Sequence, residues 1–219
     1  MSVLESTLAP PPGKQLPAAL PQFAHIRRYW DPLHETFAAK LLPGEYYVTT
    51  QSEMICTVLG SCVSACVRDR VLGIGGMNHF MLPLDRSQGE SAWTDAASAA
   101  TRYGNVAMEH MINDLLKVGA RRQNLEFKLA GGGKVLAAMT DVGQANIDFV
   151  RNYMRTEGFT VAGEDLGDVY PRKVYFTPST GKVRVKKLVS TRNDTICARE
   201  RSYLQQVNKA PQAGSVELF

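Results

Sequence analysis

Most apolar residues of this chain fall into short runs bounded by Gly, Pro or Asp-containing turns, and two stretches carry a clear helical stripe. This pattern constrains the fold more than any other feature. A period of two buries one face of a strand, and a period near 3.6 buries one stripe of a helix. Tyr46 to Thr50, Met54 to Val58 and Cys62 to Val67 read as strands, with Gly73 to Leu82 the expected partner of the last across an Arg68-Asp69-Arg70 turn. Leu125 to Ala130, Phe159 to Glu164, Arg172 to Phe176 and Lys182 to Leu188 read likewise, the last two joined by Pro178-Ser179-Thr180-Gly181. Tyr103, Ala107, Met111, Leu115 and Val118 predict a helix over Ala96 to Val118, stopped by Gly119. Ile147, Val150 and Met154 before Gly158 predict a second. His25 to Leu42 has a rougher helical spacing through Ile26, Trp30, Leu33, Phe37 and Leu41, where Pro32 must sit in a first turn or break the helix. Strands, a helix, a strand, a helix and more strands predict an α/β fold, a mixed β-sheet sandwich layered with helices in a single domain.

A chain of 219 residues, 44% hydrophobic and 21% charged, can bury its own core without disulfides or structural metals. Five of the eleven prolines lie before residue 23, so residues 1–22 read as a disordered Pro-rich tail, residues 23–200 as the folded domain and 201–219 as a flexible tail. Glu5 and the Pro10-Pro11-Pro12 run argue against a signal peptide, and no run of eighteen apolar residues exists to span a membrane. A reducing cytoplasm is the expected compartment, where free thiols stay reactive. The net charge of +4 is too small to imply a nucleic-acid partner.

Cys56, Cys62, Cys66 and Cys197 show no zinc-finger or ribbon spacing, and no metal site is expected. Hairpin register singles out one of them. A two-residue loop, Asp69-Arg70, sets Cys62 opposite Met77 with His79 its diagonal neighbour. A four-residue loop, Asp69 to Leu72, sets Cys62 directly opposite His79. Either keeps both side chains on one face, roughly 4.5 to 8 Å apart. A thiol beside an imidazole can act as a nucleophile with the His as base, and Gly60-Ser61 permits a tight turn whose N–H groups line an oxyanion site. The plainer reading of each residue alone is a packed core thiol and a packed His, as for Cys56 and Cys66.

The segments Thr57-Val58-Leu59-Gly60-Ser61-Cys62-Val63 and Gly76-Met77-Asn78-His79-Phe80-Met81-Leu82-Pro83 resemble the signature of the chemoreceptor glutamine deamidase family, CheD. Lys128-Leu129-Ala130-Gly131-Gly132-Gly133 and Thr180-Gly181-Lys182-Val183 match in kind and order, so the resemblance covers roughly residues 43–188. It implies a hydrolase that converts receptor glutamines to glutamate through a thioester on Cys62, with His79 as general base and no cofactor. The implied partners are the cytoplasmic helices of methyl-accepting chemotaxis receptors, with a chemotaxis phosphatase as a second candidate. The family's third catalytic residue is a Thr six positions before the Cys, where this chain has Cys56. A thiol is a poor partner for an imidazole. Thr57 is therefore the candidate orienter of His79, with a backbone carbonyl or another hydroxyl as the alternative. Strict alternation along one strand would turn Thr57 away from Cys62. That departure motivates a second reading, a non-catalytic chemotaxis adaptor that docks receptors or a phosphatase.

Gly131-Gly132-Gly133-Lys134 fails as a phosphate loop: no Gly stands five residues before the Gly-Lys pair, and Val135 replaces the Mg²⁺-binding hydroxyl residue. Gly131 and Gly132 are instead expected to line the substrate cleft with Gly60 and Ser61, where glycines allow close approach of another chain. Lys182, Arg184 and Lys186 alternate along one strand and read as a solvated face before a docking patch. His25, His34 and His110 have no ligand-like grouping.

Overall fold

A computed structural model describes residues 10–83, 99–135, 142–189 and 194–209. Ten strands and three α-helices follow in order: β1 (Arg27–Asp31), β2 (Thr36–Lys40), β3 (Tyr46–Thr49), β4 (Met54–Leu59), β5 (Val63–Asp69), β6 (Gly75–Asn78), α1 (Ala99–Lys117), β7 (Leu125–Gly131), α2 (Val142–Thr156), β8 (Thr160–Leu166), β9 (Arg172–Thr177), β10 (Lys182–Lys187) and α3 (Asp194–Lys209). They build two five-stranded sheets, β1-β2-β4-β9-β10 and β3-β6-β5-β7-β8. Both are mixed, since β2 runs parallel to β4 and β7 parallel to β8. One core joins Ile55, Leu59 and Phe176 of the first sheet to Val63, Val67 and Phe127 of the second and to Met111, Leu115 and Val150 of α1 and α2. The expected α/β sandwich layered with helices is what the chain forms. β5, central in the second sheet, is buried along almost its whole length because neither of its faces meets solvent.

The expected helix over residues 25–42 is instead the β1–β2 hairpin. Trp30 lies directly opposite Phe37, their ring centroids 5.2 Å apart. Asp31 Oδ1 accepts the N–H groups of Leu33 and His34 at 3.0 and 3.1 Å, an Asx turn that reverses the chain at Asp31-Pro32. Seven residues apart, Trp30 and Phe37 suit a helical stripe and also a facing pair across a hairpin, and the Asp-Pro turn decides between them.

The β5–β6 register also differs from both expected loops. Cys66 pairs with Met77, Val67 with Gly76, and Val63 bridges to Phe80. Asp69 N–H donates to Ile74 O at 2.9 Å, and Asp69 Oδ1 accepts from Val71 and Leu72 N–H, so the four-residue loop is Arg70 to Gly73. Asp69 thus caps the turn rather than joining it. The shift is by two from the expected four-residue loop and by four from the two-residue one, and either even shift leaves His79 a diagonal neighbour of Cys62 on the same side.

Residues 10–20 form no helix or strand, and residues 201–209, read from sequence as tail, lie within α3. Positions 1–9, 96–98 and 210–219 lie outside the described residues. The basic residues Lys182, Arg184 and Lys186 are exposed on β10, at the edge of the first sheet.

β7 ends against the turn that connects the sheets. Gly131 has φ 120°, and a Cβ there would lie 2.2 Å from Cys62 O. Gly131→Ala is expected to destabilise the fold by about 2 kcal/mol or more through strain and overpacking. Urea denaturation checks this, and a change below about 0.5 kcal/mol would refute the packing described.

Candidate active site

β4 belongs to the first sheet and β5 to the second, so Gly60-Ser61-Cys62 is the crossover between them. Its three carbonyls are all bound on one side. Gly133 N–H donates to Gly60 O at 2.7 Å, Asn146 Nδ2 to Ser61 O at 2.9 Å, and Gly132 N–H to Cys62 O at 2.8 Å. Asn146, at the start of α2, is itself held by Leu82 N–H at 2.9 Å. Holding the Gly60 and Ser61 carbonyls on that side points the N–H groups of Ser61 and Cys62, which share those peptides, the other way, where the Gly60 N–H joins them. Consecutive N–H groups aimed at one point form an anion-binding nest.

The nest holds the carboxylate of Glu200, from α3. Gly60 N–H and Cys62 N–H donate to Oε1 at 2.8 and 3.2 Å. Ser61 N–H and its hydroxyl donate to Oε2 at 2.8 and 2.7 Å. A Cβ on Gly60 would come within 2.6 Å of that carboxylate, so the approach requires glycine. Gly131 and Gly132, expected in the cleft wall, stand behind the crossover and meet its carbonyl side.

His79 follows β6. Its N–H donates to Glu45 O at 2.9 Å, its carbonyl accepts from Gly44 N–H at 2.8 Å, and the adjacent Phe80 bridges to Val63. The ring lies between the sheets. Thr57 Oγ1 donates to Leu41 O at 2.9 Å, so toward the imidazole it can only accept, and His79 Nδ1–H donates to it at 2.8 Å. This assigns the tautomer. Nε2 is left with its lone pair, buried and without a hydrogen-bond partner among the described residues.

Thr57 reaches His79 because it points into the inter-sheet core with Ile55 and Leu59. Alternation along one strand placed it wrongly, because Cys62 and His79 belong to the opposite sheet. Cys56 points to the other face of β4, where its Sγ lies 3.5 Å from Tyr29 Oη.

Cys62, His79 and Glu200 each bring one polar atom into a group whose members lie within 4.8 Å of one another. All three are buried. Burial, and then the Glu200 carboxylate, push the Cys62 thiol well above its ordinary range. Burial, followed by the charge of Arg199, lowers His79 from 6.5 to about 3. In this arrangement thiol and imidazole are both neutral. Three ligand types so close could suggest a cation, but four N–H and O–H donors converge on the Glu200 oxygens. Such a donor set suits an anion and repels a metal ion.

Glu200 and Asn146 were missed from sequence. For Glu200 a signal existed: Ile196, Cys197, Tyr203, Leu204 and Val207 form a stripe along one side of α3, and Glu200 stands within it. A carboxylate in an apolar stripe calls for a partner. For Asn146 the sequence carries no comparable sign.

The depressed His79 value links folding to pH. Below about 6.5 the unfolded chain binds a proton that the folded chain refuses until about pH 3, so stability falls as pH drops through this window. The slope from this one group approaches about 1.4 kcal/mol per pH unit. Urea denaturation of wild type and His79→Asn at pH 7, 5.5 and 4.5 is expected to show the wild type losing its advantage toward acid. A constant difference would contradict the assignment.

The family model described as CheD chemotactic sensory transduction matches residues 81–187, a segment that begins just after His79. Curated relatives extend across the site itself. A protein of Halorhodospira halophila named "Probable chemoreceptor glutamine deamidase CheD" is 58% identical over 208 residues, covering 94% of this chain and 96% of the relative. Proteins with the same name from Hahella chejuensis and Methylobacillus flagellatus are 50% and 55% identical, over 93% and 87% of this chain and 95% and 94% of their own lengths. Identity at this level over nearly the full length of both partners means that the chain belongs to the CheD family.

Proposed function

We propose that this protein hydrolyses the side-chain amide of selected glutamines on the cytoplasmic helices of chemoreceptors, releasing ammonia and leaving glutamate. The observation that carries the chemistry is the grouping of Cys62, His79 and the Gly60–Cys62 nest at one sheet crossover. The substrate class comes from the relatives' name, which specifies chemoreceptor glutamine. Among the described residues no helix is long and apolar enough to cross a membrane, and action on a receptor's cytoplasmic helices assigns the protein to the cytoplasm.

In this reading His79 Nε2 takes the Cys62 proton, and the thiolate attacks the glutamine Cδ. The N–H groups of Gly60, Ser61 and Cys62 hold the oxyanion of the tetrahedral intermediate, each such donor contributing roughly 2.7 to 4 kcal/mol in measured cases. The intermediate collapses as His79 returns the proton to the leaving nitrogen, and ammonia departs from the thioester. Water, deprotonated by Nε2, then attacks the thioester carbonyl and frees glutamate while Cys62 regains its proton. Thr57 holds the Nδ1–H tautomer, the one form that keeps Nε2 free as base. An adaptor that merely docks receptors or a chemotaxis phosphatase is not favoured, since a nucleophile, a base and an orienting hydroxyl are all present.

Mass spectrometry of glutamine-bearing receptor-helix peptides tests this. Cys62→Ala is expected to abolish the one-dalton gain of deamidation. Thr57→Val should lower kcat by about ten- to a hundredfold with little change in KM, and Thr57→Ser should restore most of it. Full activity in Cys62→Ala would overturn the mechanism.

A further inference from the structure

The reaction has no use for Glu200, yet this side chain fills the nest that an oxyanion needs. We propose that α3 is an intramolecular stand-in for the substrate helix: it lies in the groove where a glutamine-bearing helix docks, with Glu200 placed as the product side chain, and it leaves for turnover. The inference rests on the deamidase reading and adds to it a docking surface and the form of the partner.

Deamidation of a glutamine carried on a helix leaves a glutamate carried on a helix, and Glu200 on α3 is such a group. Both its oxygens accept from the crossover, and one of them lies within 4.8 Å of Cys62 Sγ and of a His79 ring nitrogen. No substrate carbonyl can share that space, so occupancy by α3 and by substrate exclude one another. Two glycines make room for the helix. A Cβ on Gly60 would meet Glu200 at 2.6 Å, and one on Gly44 would meet the Tyr203 ring at 2.9 Å.

α3 joins neither sheet. Side chains attach it: Tyr203 Oη to Tyr103 Oη at 2.8 Å, Cys197 Sγ to Val135 O at 3.5 Å, and the buried Leu204 and Val207. Its other side, including Arg199, Arg201, Gln205 and Gln206, is exposed. Such an attachment can be exchanged without disturbing strand pairing. The fitting partner is therefore an amphipathic helix with a glutamine set within its apolar stripe, as Glu200 is set within that of α3. Buried against a carboxylate, the Cys62 thiol also stays protonated and unreactive until α3 departs.

Iodoacetamide labelling of Cys62, read by peptide mass spectrometry, separates the outcomes. Full-length Glu200→Ala is expected to label about tenfold faster than wild type, or more, and to deamidate a receptor-helix peptide at lower KM. A synthetic peptide of residues 194–209 should slow both in that variant, and the same peptide carrying Glu200→Ala should not. Wild type provides a second measurement should Glu200→Ala not fold: adding the receptor-helix peptide should speed hydrogen exchange across residues 194–209. Unchanged labelling in folded Glu200→Ala overturns the proposal, and so does unchanged exchange in α3 while wild type turns over the peptide. Fast labelling that the 194–209 peptide suppresses, with no deamidation by any variant, keeps α3 as the occupant of the cleft and removes the deamidase reading. Deamidation by wild type with α3 unmoved does the reverse.

Discussion

The geometry of the site depends on the polarity of one short crossover. Gly60, Ser61 and Cys62 connect two sheets, and every carbonyl of the three is held from behind by Gly133, Asn146 and Gly132. In a trans peptide the carbonyl and the N–H of the next residue point opposite ways, so binding the Gly60 and Ser61 carbonyls aims the Ser61 and Cys62 N–H groups. The glycines after β7 are needed for this. A side chain at Gly131 would strike Cys62 O, and one at Gly132 would strike Ile147. Gly131 therefore packs against the backbone of Cys62, reached from its far side.

A second dependence crosses the sandwich. Thr57 lies on one sheet and His79 follows a strand of the other, and their hydrogen bond spans the layer between them. Because Thr57 spends its own proton on Leu41 O, it must accept from the ring. A valine would fill the same space without accepting, and the tautomer would lose its anchor. Cys56, on the opposite face of the strand, takes no part in this relay.

The electrostatic state of the pair follows from burial more than from charge. Buried as they are, thiolate and imidazolium are both disfavoured, and the nearby carboxylate adds to the cost for the thiolate. A thiol held in this way stays quiet until its surroundings change. What covers it here is a helix of the same chain, so access to the thiol and departure of α3 are one event in the proposed cycle.

Much of the fold could be read in the sequence, because periodicity is local. The runs around Met54, Cys62, Leu125 and Arg172 and the stripes of α1 and α2 became the elements their spacing implied. The Trp30 region misled, since residues seven apart suit a helical stripe as well as a hairpin pair, and only the Asp31 turn distinguishes them. The register of β5 on β6 depended on Asp69 capping its turn, and an Asp between two Arg residues can as easily lie in a loop as cap one.

The sequence by itself determined that Cys62 and His79 stand on facing segments of a hairpin, because pleating has a period of two and a register shift by two preserves the face. Tertiary structure alone decided what surrounds them. Thr57 reaches His79 only because the sheets stack, Asn146 aims the crossover from another layer, and Glu200 arrives from 138 positions beyond Cys62. Spacing along a chain describes neighbours on one strand or helix, and contacts between layers have no period for it to record.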